Sequence, residues 1–308
     1  MTDIIMGFPP LILFVLGAVI LYYGAEYLIE SSVLIAKLLG VSGIVIGITV
    51  VAFGTSLPEL IISLTATDTG IIVGNIIGSN IANMGLVLGI SAIITPIVFQ
   101  YSIIKIDYIV LNIVTIIFAG FLFYKVISVM MGLLFLVILM GYIVFLFMTT
   151  TQSDNRKEES FSFKIIIYFI LGVFGLKIGS DWFLNGAIAF AEQVGISSSQ
   201  MGISGIALGT SLPELAASSI AAIKKRPEIA IGNVIGSNLF NILMVIGSVF
   251  TFKTILPIND NELLQSSIVM VLITLFTGFI IKYKKGIPRI YGIILLVIYF
   301  SMIILTLA

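Results

Sequence analysis

Two carboxylates stand where a carboxylate is costly. The heptapeptide GTSLPEL occupies residues 54–60 and again 209–215, each time inside a long apolar stretch. In the first copy Thr55, Ser56 and Glu59 fall at i, i+1 and i+4, on one face of a helix. Pro58 cannot donate to the carbonyl of Gly54, its ring crowds that turn, and Gly54 weakens the helix further. Carbonyls just before the proline should be left free, pointing where the hydroxyls and Glu59 point. The second copy repeats the set as Thr210, Ser211, Pro213 and Glu214. Carbonyl, hydroxyl and carboxylate are hard oxygen donors, the set that Ca²⁺ and Na⁺ prefer. A single copy could be a kinked helix whose Glu meets a neighbouring donor. Two copies count against that, since an ionised carboxylate within a span costs about 2.5–3.5 kcal/mol. No basic residue sits at matching depth in these two helices, so a bound cation is the better partner.

A second motif follows each heptapeptide. GNIIGSNIANMGLVLG at 74–89 matches GNVIGSNLFNILMVIG at 232–247. Asn75, Ser79 and Asn83 are spaced by four and form one stripe; Gly74 and Gly78 let a neighbouring backbone approach closely. The second copy supplies Asn233, Ser237 and Asn241, with Gly232 and Gly236. Interhelical hydrogen bonding is the expected role of Asn75 and Asn233. For Ser79, Asn83, Ser237 and Asn241, one or two turns along, a cation-facing role is at least as well motivated.

These motifs must be positioned by membrane helices. The chain is 59% hydrophobic and 10% charged, against about 25% charged residues in a soluble domain. Apolar runs of about 20 residues, enough to cross a bilayer, recur throughout. The first run, residues 8–28, has neither a basic flank nor a small-residue cleavage site, so it reads as a span rather than a signal peptide. The expected location is the cell membrane, multi-pass, with lipid as surroundings. Zero net charge argues against a nucleic-acid partner. The absence of Cys and His removes thiolate sites, imidazole ligands and the usual proton relay near neutral pH. Polar chemistry must use oxygen.

Breakers and hydropathy divide the chain into about ten helices, near 8–30, 43–66, 71–95, 103–124, 126–148, 164–191, 199–223, 228–251, 264–282 and 288–307. The fold class is thus all-α, transmembrane. The hydrophilic segment 149–162 is read as a cytoplasmic linker between a first five-helix repeat, 1–148, and a second, 163–308. With the N-terminus outside, twelve of the fifteen Lys and Arg fall in cytoplasmic loops. Only Lys125 and Lys253 fall in outer loops, and Lys177 lies within a span. This bias puts both termini outside. The halves align with Gly24 on Gly179, Glu26 on Asp181, Gly47 on Gly202 and Gly54 on Gly209, an offset of 155 that becomes 158 in the second motif. An odd number of spans per half makes the repeat inverted, the arrangement of many secondary transporters, with a site at the midplane.

The remaining charges receive plainer roles. Lys177 and Asp181 are four apart and can pair on one helix face. They and Glu26 are expected to be structural, with lining of an access path as the alternative. Asp68 and Asp107 are expected to be solvated at span ends, and 224–226 to be a cytoplasmic loop.

The paired GTSLPEL and GNxxGSNxxN motifs, at 43–95 and 199–250, resemble the two alpha repeats of the calcium/cation antiporter superfamily, and the prokaryotic sodium/calcium exchangers most of all. The resemblance implies ten helices in two inverted halves. It implies four central helices that form a diamond of cation sites, and first and sixth helices that slide across them. Carried over by position, the implied ligands are the carbonyl of Ala52 with Thr55, Ser56, Glu59, Ser79 and Asn83. From the other half come the carbonyl of Ala207 with Thr210, Ser211, Glu214, Ser237 and Asn241. Glu59 and Glu214 would bridge a central Ca²⁺ and serve flanking Na⁺ sites.

One position departs from the family. Sodium/calcium exchangers often have Asp where Asn241 stands, so this site offers two carboxylates, which balance one Ca²⁺ or two Na⁺. Coupling to K⁺ fits less well, because that branch uses Asp at these positions. The expected function is Na⁺/Ca²⁺ antiport by alternating access, exporting Ca²⁺, with no cofactor and a functional monomer. H⁺/Ca²⁺ antiport on the same two Glu is the alternative. A cation channel would not need interrupted helices in repeated halves. An enzyme is not expected, since Ser56 and Ser211 have no His or Lys base at matching depth.

Overall fold

The computed structural model describes residues 9–99, 101–125, 128–149, 161–193, 209–253 and 261–307. Nearly all of them are helical. Helix α1 (Pro10–Leu39) begins with a proline in its first turn, where a missing N–H leaves nothing unpaired. It stops at Gly40, whose left-handed φ of 65° suits glycine and whose N–H caps the carbonyls of Ala36 and Lys37. The sequence predicts an end near residue 30. The helix instead runs on to Leu39, and Glu30 and Ser31 have partners along it. Ser31 Oγ donates back to the Leu28 carbonyl at 2.9 Å. Lys224 Nζ lies 2.8 Å from Glu26 Oε1 and 2.9 Å from Glu30 Oε1. Burial pulls the Lys224 ammonium down, but its hydrogen bonds to the two carboxylates outweigh that and leave it above its usual range. The loop lysine therefore ties α1 to a neighbouring helix.

Helix α2 spans Gly43–Thr65 and α3 spans Thr69–Ile94. Ser42 caps α2 by accepting from the Val45 N–H at 3.4 Å. Asp68 caps α3 by accepting from the Ile71 N–H at 3.0 Å, consistent with its expected place at a span end. Helices α4 (Tyr101–Phe123), α5 (Val129–Thr149) and α6 (Phe163–Gln193) follow. The second half continues with α7 (Leu212–Ile223) and α8 (Pro227–Phe252), then α9 (Asn261–Lys284) and α10 (Arg289–Leu307). Among the described residues eight helices are long and apolar enough to cross a membrane, and α7 and α10 count as shorter apolar helices. Sequence expectation and structure agree within a few residues for most of these elements. Residues 199–208, expected to open the seventh span, lie outside the described residues.

A two-stranded pair, β1 (Ile97–Val98) and β2 (Gly286–Ile287), was not expected. It is antiparallel, with Ile97 opposite Ile287 and Val98 opposite Gly286, and joins the segments after α3 and before α10. Gly286 has φ of 130°, and a Cβ there would run into the Ile97 carbonyl, so the contact needs glycine.

Burial grades inward. The apolar window of α8 is 100% buried and that of α3 is 83%, against 33% in α1 and 28% in α6. Helices α2, α3 and α8 are therefore interior, while the outer helices turn apolar side chains such as Leu11, Val137, Phe174 and Phe279 outward, as lipid requires. Helices α1 and α6 pack chiefly on each other. Their backbones meet through Gly17, Gly24, Gly172, Gly175, Gly179 and Gly186.

Asp107 is a correction. It sits in α4 at 5% exposure, not solvated, and accepts a 2.7 Å hydrogen bond from the Tyr142 hydroxyl of α5. A phenol donor from the facing helix makes that depth tolerable.

The interior contact that matters most is α2 against α8. A Cβ on Gly232 would come 2.7 Å from the Ile44 carbonyl and 3.0 Å from the Cα of Gly47; one on Gly236 would meet Ala52 Cβ at 2.6 Å. Gly232→Val should therefore push the two helices apart. Overpacking of this kind costs about 1–3 kcal/mol. Gly120→Ala, where a Cβ meets nothing within 4 Å, should leave stability unchanged or raise it. Thermal unfolding of the two purified variants in detergent checks the contrast.

Candidate cation site

The elements carrying the two motifs converge in the interior. Glu59, Glu214, Asn83 and Asn241 all have 0% exposure, as do Thr55, Ser56, Ser79 and Ser237. Thr210 is 6% exposed and Ser211 1%, so these two are buried as well. The Ala52 backbone lies there too, its carbonyl accepting from Thr55 Oγ1 at 3.3 Å. Ala207 lies outside the described residues.

The halves interlock reciprocally. Thr55 of α2 donates to Asn233 Oδ1 of α8 at 3.1 Å and lies 3.2 Å from Ser237 Oγ. Its counterpart Thr210 donates to Asn75 Oδ1 of α3 at 3.2 Å and lies 3.0 Å from Ser79 Oγ. Each heptapeptide thus bonds the second motif of the opposite half. Asn75 and Asn233 do the interhelical bonding expected of them.

The local backbone differs from the expectation. Helix α2 runs without interruption from Ala52 to Thr65 with Pro58 inside it. Its irregularity falls one turn earlier, in a π-helical turn over Gly47–Val51. In the second half the helix does break before its proline: Ser211 has ψ of 0° and Pro213 sits in the first turn of α7. Two more π turns, Asn83–Val87 and Asn241–Ile246, begin at the two candidate ligand asparagines. Sequence reading missed all three. The only trace is the glycines around them, and a π turn is a common way to re-aim a side chain at a functional site.

Unpartnered acceptors define the chemistry. Both carboxylate oxygens of Glu59, Oε2 of Glu214, and Oδ1 of Asn83 and Asn241 are buried with no hydrogen-bond donor among the described residues. A buried polar group left unpaired costs about 1–3 kcal/mol, and more if charged. Neither glutamate has an ion-pair partner there either. Five hard oxygens contributed by both halves, two side chains of them ionisable, suit a hard cation held as cargo. The described residues hold no group of three or more His, Cys, Asp or Glu that could bind a resident metal.

The two halves are not in the same hydrogen-bonded state. Ser56 Oγ donates to Glu214 Oε1 at 3.2 Å, while the side-chain oxygens of the mirror groups Ser211 and Glu59 have no partner among the described residues. Asn233 Nδ2 donates to Ser218 Oγ at 2.9 Å, while the mirror atoms Asn75 Nδ2 and Ser63 Oγ have no partner among the described residues. Matching residues therefore occupy two states at once. Lys177 and Asp181, whose pairing was expected, do pair at 2.5 Å on α6.

Comparison with known proteins identifies the lineage. The family model for sodium/calcium exchanger protein matches residues 9–148 and 164–308. The sodium/calcium exchanger MaX1 of Methanosarcina acetivorans is 31% identical, the alignment spanning 95% of this chain and 97% of that protein. An uncharacterized membrane protein of Methanocaldococcus jannaschii is 36% identical over 93% of this chain and 94% of its own length. Among solved structures, the sodium-calcium exchanger NCX_Mj soaked with zero Na⁺ and Ca²⁺ superposes with a TM-score of 0.83 at 33% identity, covering 99% of both chains. The chain belongs to the sodium/calcium exchanger family, and it is a multi-pass membrane antiporter rather than an enzyme.

The unpartnered oxygens make a prediction. Ca²⁺ should raise the unfolding temperature of the purified protein, since a ligand at a hundred times its Kd adds about 2.7 kcal/mol. Glu59→Gln should be at least as stable as the parent without divalent cation, because an amide is easier to bury than a carboxylate, and Ca²⁺ should then add nothing. Calcium-dependent stabilisation of Glu59→Gln equal to the parent's would contradict the assignment.

Proposed function

We propose that this family member exchanges Na⁺ for Ca²⁺ across the membrane by alternating access, and that in the cell it exports Ca²⁺. The observation carrying the reading is the set of five buried, donor-free oxygens on Glu59, Glu214, Asn83 and Asn241. Ca²⁺ would sit between the two carboxylates. Thr55, Ser56 and Ser79 with the Ala52 carbonyl, and Thr210, Ser211 and Ser237 with the Ala207 carbonyl, would complete the central and flanking sites. The finer architecture belongs to the same proposal: ten spans in two inverted five-helix halves, both termini outside, acting as a monomer.

Coupling follows from charge. Two carboxylates neutralise one Ca²⁺ or two Na⁺, so the two cargoes compete and cannot fill the centre together. An empty site carries two buried negative charges, and moving it across the membrane is unfavourable. Each half-cycle therefore has to carry a cation. The unequal hydrogen bonding of the halves favours a carrier over a channel. In a carrier, the Ser56–Glu214 bond across the halves and the Asn233–Ser218 bond within the second half would be exchanged for their mirror images, and the site would open to opposite sides in turn.

The test is Ca²⁺ uptake into proteoliposomes under an imposed Na⁺ gradient or an imposed pH gradient. Uptake driven by Na⁺ alone, and abolished in Glu214→Gln, is expected. Uptake driven by the pH gradient and indifferent to Na⁺ would replace the proposal with H⁺/Ca²⁺ exchange, the two glutamates carrying the protons. Uptake that needs no counter-ion would make it a channel.

A further inference from the structure

We infer that Asn80 and Asn238 are positioning residues of the cation site, each fixing which end of a ligand amide faces the cation. The inference rests on the reading above that Asn83 and Asn241 present oxygen to the cargo. Asn241 Nδ2 donates to Asn80 Oδ1 of the opposite half at 3.0 Å. In mirror fashion Asn83 Nδ2 donates to Asn238 Oδ1 at 3.4 Å. Asn80 is itself anchored, its Nδ2 donating to the Asn238 carbonyl at 3.4 Å. Asn80 and Asn238 are 2% and 1% exposed, so water does not compete for these bonds.

The two ends of a side-chain amide have almost the same shape and opposite electrostatics. Oδ1 can bind a cation; Nδ2 presents two N–H donors and repels one. A carboxylate has no such ambiguity, since either oxygen serves. An asparagine ligand therefore needs a partner that accepts from Nδ2 and so turns Oδ1 the other way. Asn80 and Asn238 supply that acceptor. The oxygens they free, Oδ1 of Asn83 and of Asn241, are the unpartnered ones. Both bonds run between α3 and α8, so the orientation of each ligand is also tied to the contact between the halves.

The test is equilibrium Ca²⁺ binding to the purified full-length protein, with a cycle over Asn80→Leu and Asn241→Asp. Asn80→Leu alone should weaken Ca²⁺ binding roughly tenfold, the effect of one misdirected buried polar group. In the Asn241→Asp background the same change should have little effect, because a carboxylate at 241 needs no orienting. The mirror cycle, Asn238→Leu with Asn83→Asp, should behave alike and gives an independent reading if either Leu variant misfolds. Equal loss in both backgrounds would reduce Asn80 to a packing residue and overturn the inference, as would no loss at all. A parent protein that fails to bind Ca²⁺ would instead remove the cargo reading on which the inference stands.

Discussion

Glu59 and Glu214 are fully buried inside a membrane bundle, and among the described residues neither has an ion-pair partner. Everything else in the interior can be understood as a response to that constraint. A buried carboxylate is stable only when something positive or hydrogen-bonding faces it. The protein supplies a little of that, through Ser56 on Glu214; under the proposed function the cargo meets the remainder. A carrier has to work this way. If lysines satisfied both glutamates permanently, no cation would be needed to complete the site.

The surrounding architecture brings oxygens together while keeping water out. Glycines at 47, 232 and 236 let α2 and α8 approach until backbone meets backbone. Reciprocal bonds from Thr55 and Thr210 lock each heptapeptide to the opposite half. The π turns at Asn83 and Asn241 start at the amides whose oxygens stay free. Farther out, α1 and α6 form a glycine-lined pair of their own, tied to the end of α7 by Lys224 with Glu26 and Glu30. Ser56 bonds Glu214 while, among the described residues, Ser211 Oγ and Glu59 have no such bond, so the centre is asymmetric between its halves.

Much of this was legible in the sequence, for a physical reason. Membrane spans are set by hydropathy, and carboxylates within them are rare enough to be informative. The duplicated heptapeptide pointed to the paired glutamates, and the four-residue spacing of Asn75, Ser79 and Asn83 pointed to the face they share. What escaped depended on contacts distant in sequence. The first helix was expected to end near residue 30, and the Lys224 ammonium that pairs with Glu30 comes from far along the chain. Asp107 read as solvated because Tyr142 lies 35 residues away. Asn80 and Asn238 fall outside the four-residue stripe, and their bonds cross between halves. The proline suggested a break in α2, yet the helix absorbs it, with the irregularity displaced to the π turn at Gly47–Val51.

The central claim is that one pair of carboxylates serves both cargoes in turn. It is tested most directly by equilibrium Ca²⁺ binding to the purified protein over a series of Na⁺ concentrations, at constant ionic strength and pH. The account predicts that Na⁺ raises the apparent Kd for Ca²⁺ without lowering the amount bound at saturation. Its logarithmic slope should approach the number of Na⁺ ions that displace each Ca²⁺. Calcium binding that ignores Na⁺, or both ions bound together at the glutamates, would contradict it.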